Sequence, residues 1–177
     1  MNEFRQIDHQ YVSINYPGIF TKNTVSSNPT PYSDVTIRPA RLNDGDSIYG
    51  FLCELEDELL DSALFQSIFE RNLQNPLIHY LVAEVAGQAV GFVSCHVQYL
   101  LHHVGKVGEI QELFVKTAYR NQQIGHKLMA AIDMLAAHEG FINLEVTTNQ
   151  KRTATVRFYE REAFHCTHFK LVKSIQS

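Results

Sequence analysis

The stretch Leu113-Phe114-Val115-Lys116-Thr117-Ala118-Tyr119-Arg120-Asn121-Gln122-Gln123-Ile124-Gly125-His126-Lys127-Leu128 decides the reading of this chain. It begins as a strand, breaks into a short polar loop and starts a helix at or near Gln123. Such a loop leaves successive backbone N–H groups unpaired and convergent, and a helix N-terminus adds positive partial charge. Together they make a site for a phosphate or pyrophosphate. Arg120 and Lys127 bring full charges to the same place. A plain strand-to-helix connection has the same outline, so the surrounding sequence has to decide between the two.

Upstream, Val107 to Val115 reads as the strand that feeds the loop. Before it, Tyr80 to Val85 and Ala89 to Val97 read as strands joined by the tight turn Ala86-Gly87-Gln88. Val35-Thr36-Ile37-Arg38 is a short strand ended by Pro39. Asp44 or Asp46 caps a helix carrying Ile48, Phe51, Leu52 and Leu55, and a second helix covers Ala63 to Leu73, with Asp61 or Ser62 as its cap. Downstream, Leu128, Ile132 and Leu135 share one face of a long helix that Gly140 closes. Ile142 to Val146 reads as a buried strand, Arg152 to Arg161 as a helix and His168 to Val172 as a final strand. This order predicts an α/β fold, a mixed central β-sheet flanked by helices on both faces, as a single domain over 35–177. Residues 1–34 have a different texture, with Pro17, Pro29, Pro31 and a polar run from Thr24 to Thr30. Tyr11, Ile14, Tyr16, Ile19 and Phe20 give this extension something to dock with, on its own domain or on the partner in a homodimer. A partly ordered tail is the alternative.

The chain has 177 residues, enough for one domain with a sizeable core. Its formal charge of −4 argues against a nucleic-acid partner, which a basic surplus would favour. Cys53, Cys95 and Cys166 are odd in number and far apart, so they read as buried thiols in a reducing compartment. No apolar run is long enough to span a bilayer, and Met1-Asn2-Glu3-Phe4 lacks the start of a signal peptide. A cytoplasmic protein with neither nucleic-acid nor membrane partners is the expectation.

Leu113-x-Val115, Tyr119-Arg120 and Gly125, followed by Phe158-Tyr159-Glu160-Arg161-x-x-Phe164, resemble the GNAT superfamily of N-acetyltransferases. The family pattern is Arg/Gln-x-x-Gly-x-Gly/Ala. Here Gln123 replaces the first Gly, Thr117 the Pro usual after the strand, and Ala163 the Gly usual before Phe164. Cys53-Glu54-Leu55, Leu101-His102-His103-Val104, Gly108-Glu109-Ile110-Gln111-Glu112-Leu113, Thr148-Asn149-x-Lys151-Arg152 and Arg157-Phe158-Tyr159 are similar to the bacterial aminoalkylphosphonate N-acetyltransferases, which also depart from Gly at the Gln123 position. The resemblance implies acetyl transfer from acetyl-CoA to the primary amine of a small molecule. It further implies a divalent metal ion as an aid in some of these enzymes, with its ligands unassigned.

A protonated amine cannot attack a thioester, so a general base must take its proton. The resemblance gives this role to Glu109. Strict alternation turns Glu109, Gln111, Leu113 and Val115 one way and Ile110, Glu112 and Phe114 the other. A bulge would make Glu112 the alternative, and a solvated strand residue is the other reading of either Glu. The resemblance also implies the Leu113 backbone N–H as oxyanion donor, Tyr159 as general acid to the CoA thiolate and Asn149 as a holder of the pantetheine arm. Leu113, Phe114, Val115 and Arg120 to Lys127 complete the CoA contacts: Arg120, Asn121, Gln122, Gln123, Ile124, Gly125, His126 and Lys127. An anionic phosphonate needs cationic donors, for which Arg152, His102 and His103 are the candidates, beside Lys151. Glu112 joins them as a substrate-binding candidate on the side of the amine. His102 and His103, read as adjacent on a strand, point apart and do not chelate one ion together. The acidic run Glu54, Glu56, Asp57, Glu58 and Asp61 reads as a solvated face. Two other readings stay open: a polyamine, aminoglycoside or protein amine as acceptor, or an acetyl-CoA-binding module without turnover.

Overall fold

Runs of β-branched and aromatic residues become the strands, and apolar residues at helical spacing become the helices that cover them. The computed structural model describes residues 35–175, so the predicted extension 1–34 lies outside the described residues. The chain order is β1 (Val35–Pro39), α1 (Gly45–Glu56), α2 (Ser62–Leu73), β2 (Ile78–Val85), β3 (Gln88–Leu100), β4 (Gly105–Val115), α3 (Ile124–Glu139), β5 (Phe141–Val146) and α4 (Thr153–Arg161). The strands form one sheet in the order β1-β2-β3-β4-β5. β1 to β4 pair antiparallel, and β5 joins β4 in parallel after the α3 crossover.

Each sheet face has its own core. On one, Val93, Cys95 and Ile110 pack with Ile124, Leu128, Ile132 and Leu135 of α3 and Tyr159 of α4. On the other, Val82, Phe92 and Phe114 pack with Ile48 and Phe51 of α1 and Phe69 of α2. The β2–β3 turn is tight because Ala86 (φ 50°) and Gly87 (φ 79°) are both left-handed. Gly140 (φ 71°) closes α3 as its composition predicts. Asp61 caps α2 by accepting the N–H of Leu64 at 2.9 Å. Asp44 stands at the N-cap of α1, but its carboxylate turns to Arg38 (2.7 and 2.8 Å) and to the N–H of Arg41 (2.7 Å). Burial alone would push this carboxyl up; the Arg38 and Arg41 bonds outweigh that and hold it below its ordinary value.

Several expectations are corrected. β5 is an edge strand rather than a buried one, with Ile142 51 % exposed, because nothing among the described residues pairs with its outer edge. The predicted strand His168 to Val172 does not form; Phe169, Leu171 and Val172 stay exposed. Cys95 is buried, but Cys166 is exposed and Cys53 half-buried. His102 and His103 lie in the β3–β4 turn, not on a strand, so strand alternation does not separate them and their ring centroids come within 4.3 Å.

Candidate active site

The β3–β4 register sets the chemistry. Cys95 faces Ile110 and Val93 faces Leu113, so Gln111 and Glu112 together oppose Ser94. That extra residue is a β-bulge, and it breaks the expected alternation. Ile110, Leu113 and Val115 all pack on the α3 side, and Phe114 packs on the α1 side. Glu109 sits opposite His96, two residues along β3 from Ser94, which bonds Glu112. Glu109 and Glu112 therefore share the α1 side, contrary to strict alternation.

The two carboxylates are held differently. The buried Ser94 hydroxyl donates to the Glu112 carboxylate and accepts the Glu112 N–H at 3.1 Å. Glu112 is thus part of the bulge itself. Glu109 accepts a hydrogen bond from the Thr147 hydroxyl at 3.2 Å, and the Lys170 ammonium stands 3.7 Å away. Its partner across β4–β5 is Glu145. The next pair, Ile110 with Val146, is the last on these strands. Beyond it β4 continues to Val115 while the chain leaves β5 at Thr147, so a cleft opens beside Glu109.

The loop after β4 ends that cleft. Thr117–Tyr119 form a single 3-10 turn, and Asn121 (φ 61°) and Gln123 (φ 60°) are left-handed before α3 begins at Ile124. The backbone N–H groups of Asn121 to His126 have no hydrogen-bond acceptor among the described residues. The Lys127 N–H does not join them, because it closes the first helical turn on the Gln123 carbonyl at 2.9 Å. An array of free amides at the start of a 16-residue helix fits a pyrophosphate. Gln123 keeps this geometry at the strain of a non-glycine residue in left-handed backbone, about 1 kcal/mol. Ala163 (φ 65°) likewise holds a positive φ where the family has Gly. Gly125 has another reason to lack a side chain: a Cβ there would meet the Phe158 ring at 3.1 and 3.2 Å, so α4 packs against the bare backbone of α3.

The remaining candidates are partly engaged within the protein. Arg120 donates from Nε to the Val115 carbonyl at 2.9 Å, and its guanidinium lies 3.9 Å from Glu54. Gln122 donates to the Ala118 carbonyl at 3.0 Å. His126 is 2.9 Å from Glu162. Asn149 is exposed and its side chain accepts the Lys151 N–H at 3.0 Å, shaping the turn before α4. Arg152, at the N-cap of α4, donates to the Leu55 carbonyl at 3.3 Å and stands 3.7 Å from Glu56. It ties α4 to the end of α1. His103 faces Glu145 at 3.7 Å, at the end of β4 remote from the loop. Tyr159 is buried between Phe158 and Phe164, with centroids at 5.2 and 5.4 Å. Burial pushes its phenol above the usual tyrosine range. Among the described residues there is no group of three or more His, Cys, Asp or Glu that could hold a metal ion, so they lend the implied divalent metal no support.

Sequence reasoning did not pick out Thr147, Ser94, His96 or Lys170. Thr147 and Ser94 are ordinary strand residues by type, and only pairing brings them to the two carboxylates. His96 carries a buried Nε2 without a hydrogen-bond partner among the described residues, beside the Tyr80 ring at 6.2 Å.

Residues 42–164 match the model of the acetyltransferase (GNAT) family, and the chain belongs to that family. It is 40 % identical over 139 residues to an aminoalkylphosphonate N-acetyltransferase of Salmonella typhimurium, covering 78 % of this chain and 90 % of that protein. Its family and relatives make this chain an acetyl-CoA-dependent N-acetyltransferase. Solved structures share the fold. A transcriptional regulator from Bacillus halodurans matches with a TM-score of 0.73 at 24 % identity, over 80 % of this chain and 99 % of that one. An aminoglycoside N-acetyltransferase in complex with CoA matches with a TM-score of 0.71 at 17 % identity, over 81 % and 95 % of the respective chains. No helix among the described residues is long and apolar enough to cross a membrane.

Proposed function

We propose that this enzyme acetylates the primary amine of a small aminoalkylphosphonate in the cytoplasm, through a domain of residues 35–177 to which 1–34 is an extension. The observation that carries the mechanism is Glu109, half-buried where β4 and β5 part, with a hydroxyl as its hydrogen-bond partner. The acceptor class rests on the Salmonella relative, whose name states that substrate.

Glu109 is the base. Glu112 is tied to Ser94 by both its carboxylate and its N–H, which leaves Glu109 the freer acceptor for a proton. It takes the proton of the bound ammonium, directly or through one water. The freed amine attacks the acetyl carbonyl, and the Leu113 N–H donates to the oxygen as charge develops on it. The bulge supports this role because it turns Leu113 away from the alternation of the residues before it. As the C–S bond breaks, Tyr159 gives its proton to the departing thiolate. Like any tyrosine phenol it is protonated at neutral pH, so it has a proton to give. The free amides from Asn121 to His126 hold the pyrophosphate of acetyl-CoA, with the Phe114 and Val115 backbone and Asn149 along its arm. Arg152 offers its guanidinium to the phosphonate at the junction of α1 and α4.

The test is thiol release from acetyl-CoA with 2-aminoethylphosphonate and aminomethylphosphonate beside spermidine and an aminoglycoside. Phosphonates should give the highest kcat/KM, and Arg152→Ala should raise KM for phosphonates while leaving that of acetyl-CoA nearly unchanged. Preference for spermidine or the aminoglycoside would overturn the acceptor class. Binding of acetyl-CoA without thiol release for any amine on the panel would favour a binding module.

A further inference from the structure

The C-terminal segment brings an amine of the protein's own to the cleft. After α4 the chain turns at Ala163, and Phe164 anchors it, donating its N–H to the Tyr159 carbonyl at 2.9 Å and packing on the core. Residues 165–175 then run without regular secondary structure, with Phe169 and Leu171 exposed. Between these two, Lys170 reaches back toward the sheet. Its Nζ donates to the Thr147 hydroxyl at 3.4 Å and stands 3.7 Å from Glu109 Oε1. An ammonium on a flexible stem therefore occupies the position that an acceptor ammonium must take before the base removes its proton. The Lys170 side chain is 57 % exposed, so its stem is free to swing.

From this geometry we infer that Lys170 is a self-acetylation site, modified within its own chain by the same cleft that serves small amines. The inference rests on Glu109 acting as the base. Glu109 takes one proton from the Lys170 ammonium, and the freed Nζ lone pair forms a bond to the acetyl carbonyl carbon. The C–S bond breaks, the thiolate takes a proton from Tyr159 and leaves as CoA thiol, and Lys170 becomes a neutral amide. No oxidant or further reactant is needed. Tethering replaces a bimolecular encounter, so the reaction proceeds without any added amine. Unmodified Lys170 competes with the acceptor for Glu109, and the neutral amide no longer pairs with that carboxylate.

Lys173, on the same segment, provides an internal control. The full chain is incubated with isotopically labelled acetyl-CoA and no acceptor, and acetylation is mapped by peptide mass spectrometry over time. Label should appear on Lys170 about 10-fold or more ahead of Lys173, at a rate per chain that does not change with protein concentration. It should slow by a similar factor in Glu109→Gln, whose folding is checked by its melting temperature. Equal labelling of Lys170 and Lys173, a rate that rises with protein concentration, or labelling unchanged in Glu109→Gln would each overturn the inference. Small-amine turnover is measured on the same preparations. If turnover depends on Glu109 while Lys170 stays unlabelled, self-acetylation fails and the base assignment stands. If neither depends on Glu109, the base assignment itself fails.

Discussion

Gly108 is where a single methyl group should disturb both the fold and the base. A Cβ at this position would meet Cys95 Sγ, Leu144 Cδ2 and Phe141 Cδ2, each at 2.9 Å. Favourable carbon contacts lie near 3.5–4.0 Å, so every neighbour is too close by about 0.6 Å or more. One of them belongs to β3 and two to β5, and Cys95 is fully buried with no room to turn. The strain is relieved by moving β5 outward, since its other edge is unpaired among the described residues. Inserting a methyl group into packing of this kind costs about 1–3 kcal/mol. At about 2–4 °C per kcal/mol for a chain of this size, Gly108→Ala should lower Tm by roughly 2–12 °C. Gly108 directly precedes Glu109, and the 3.2 Å bond from Thr147 ties the residue just after β5 to β4. An outward shift of β5 lengthens that bond, so kcat should fall while affinity for acetyl-CoA changes less. Scanning calorimetry and steady-state thiol release read the two effects. A Tm within 1 °C of the parent (about 0.5 kcal/mol or less) together with unchanged kcat would refute the packing argument.

The amide array is tested by comparing two substitutions at Gly125. Both Ala and Pro place a Cβ against Phe158, but only Pro also removes the N–H; Gly125→Pro should weaken acetyl-CoA about 10-fold beyond Gly125→Ala in a calorimetric titration, and Gln122→Ala should have a small effect. Tyr159→Phe should lower kcat by about 10²-fold or more with little change in acetyl-CoA affinity, as binding titrations beside turnover will report. Asp44 predicts part of the acid limb of stability. Its folded carboxyl lies below the ordinary 3.8, so its contribution is present above that value and is lost as pH falls through the lower folded one. Asp44→Asn should therefore lower Tm near neutrality and flatten its fall in acid.

Much of the fold is written in local signals. Asp61, the Ala86-Gly87 turn and Gly140 act where their chemistry places them, and the apolar spacing of Leu128, Ile132 and Leu135 faces α3 to the sheet. The bulge in β4 was not legible as such. No glycine marks it; it exists because Ser94, opposite two residues, satisfies the Glu112 N–H that the ladder leaves free. That long-range pairing decides which carboxylates share a face. Likewise, nothing local distinguishes the outer edge of β5 from a buried one, and the exposed Phe169 and Leu171 carry the alternation of a strand that pairs with nothing among the described residues. The amide loop was legible in outline, while the part played by Gly125 depends on Phe158, which arrives from α4.

The claim on which the account turns is that Glu109 removes the proton of the attacking amine. The direct measurement is the pH dependence of kcat for Glu109→Gln against the parent enzyme with one phosphonate acceptor. An alkylamine with a pKa near 10.4 is neutral in only about one molecule in 2,500 at pH 7, and that fraction rises about tenfold per pH unit. The parent should be nearly flat over the same range, because its base removes the proton from the bound ammonium. The variant should be slower by about 10²–10⁴-fold at pH 7 and recover about tenfold per unit as pH rises toward 9. A variant that tracks the parent at every pH, at whatever absolute rate, would contradict the assignment.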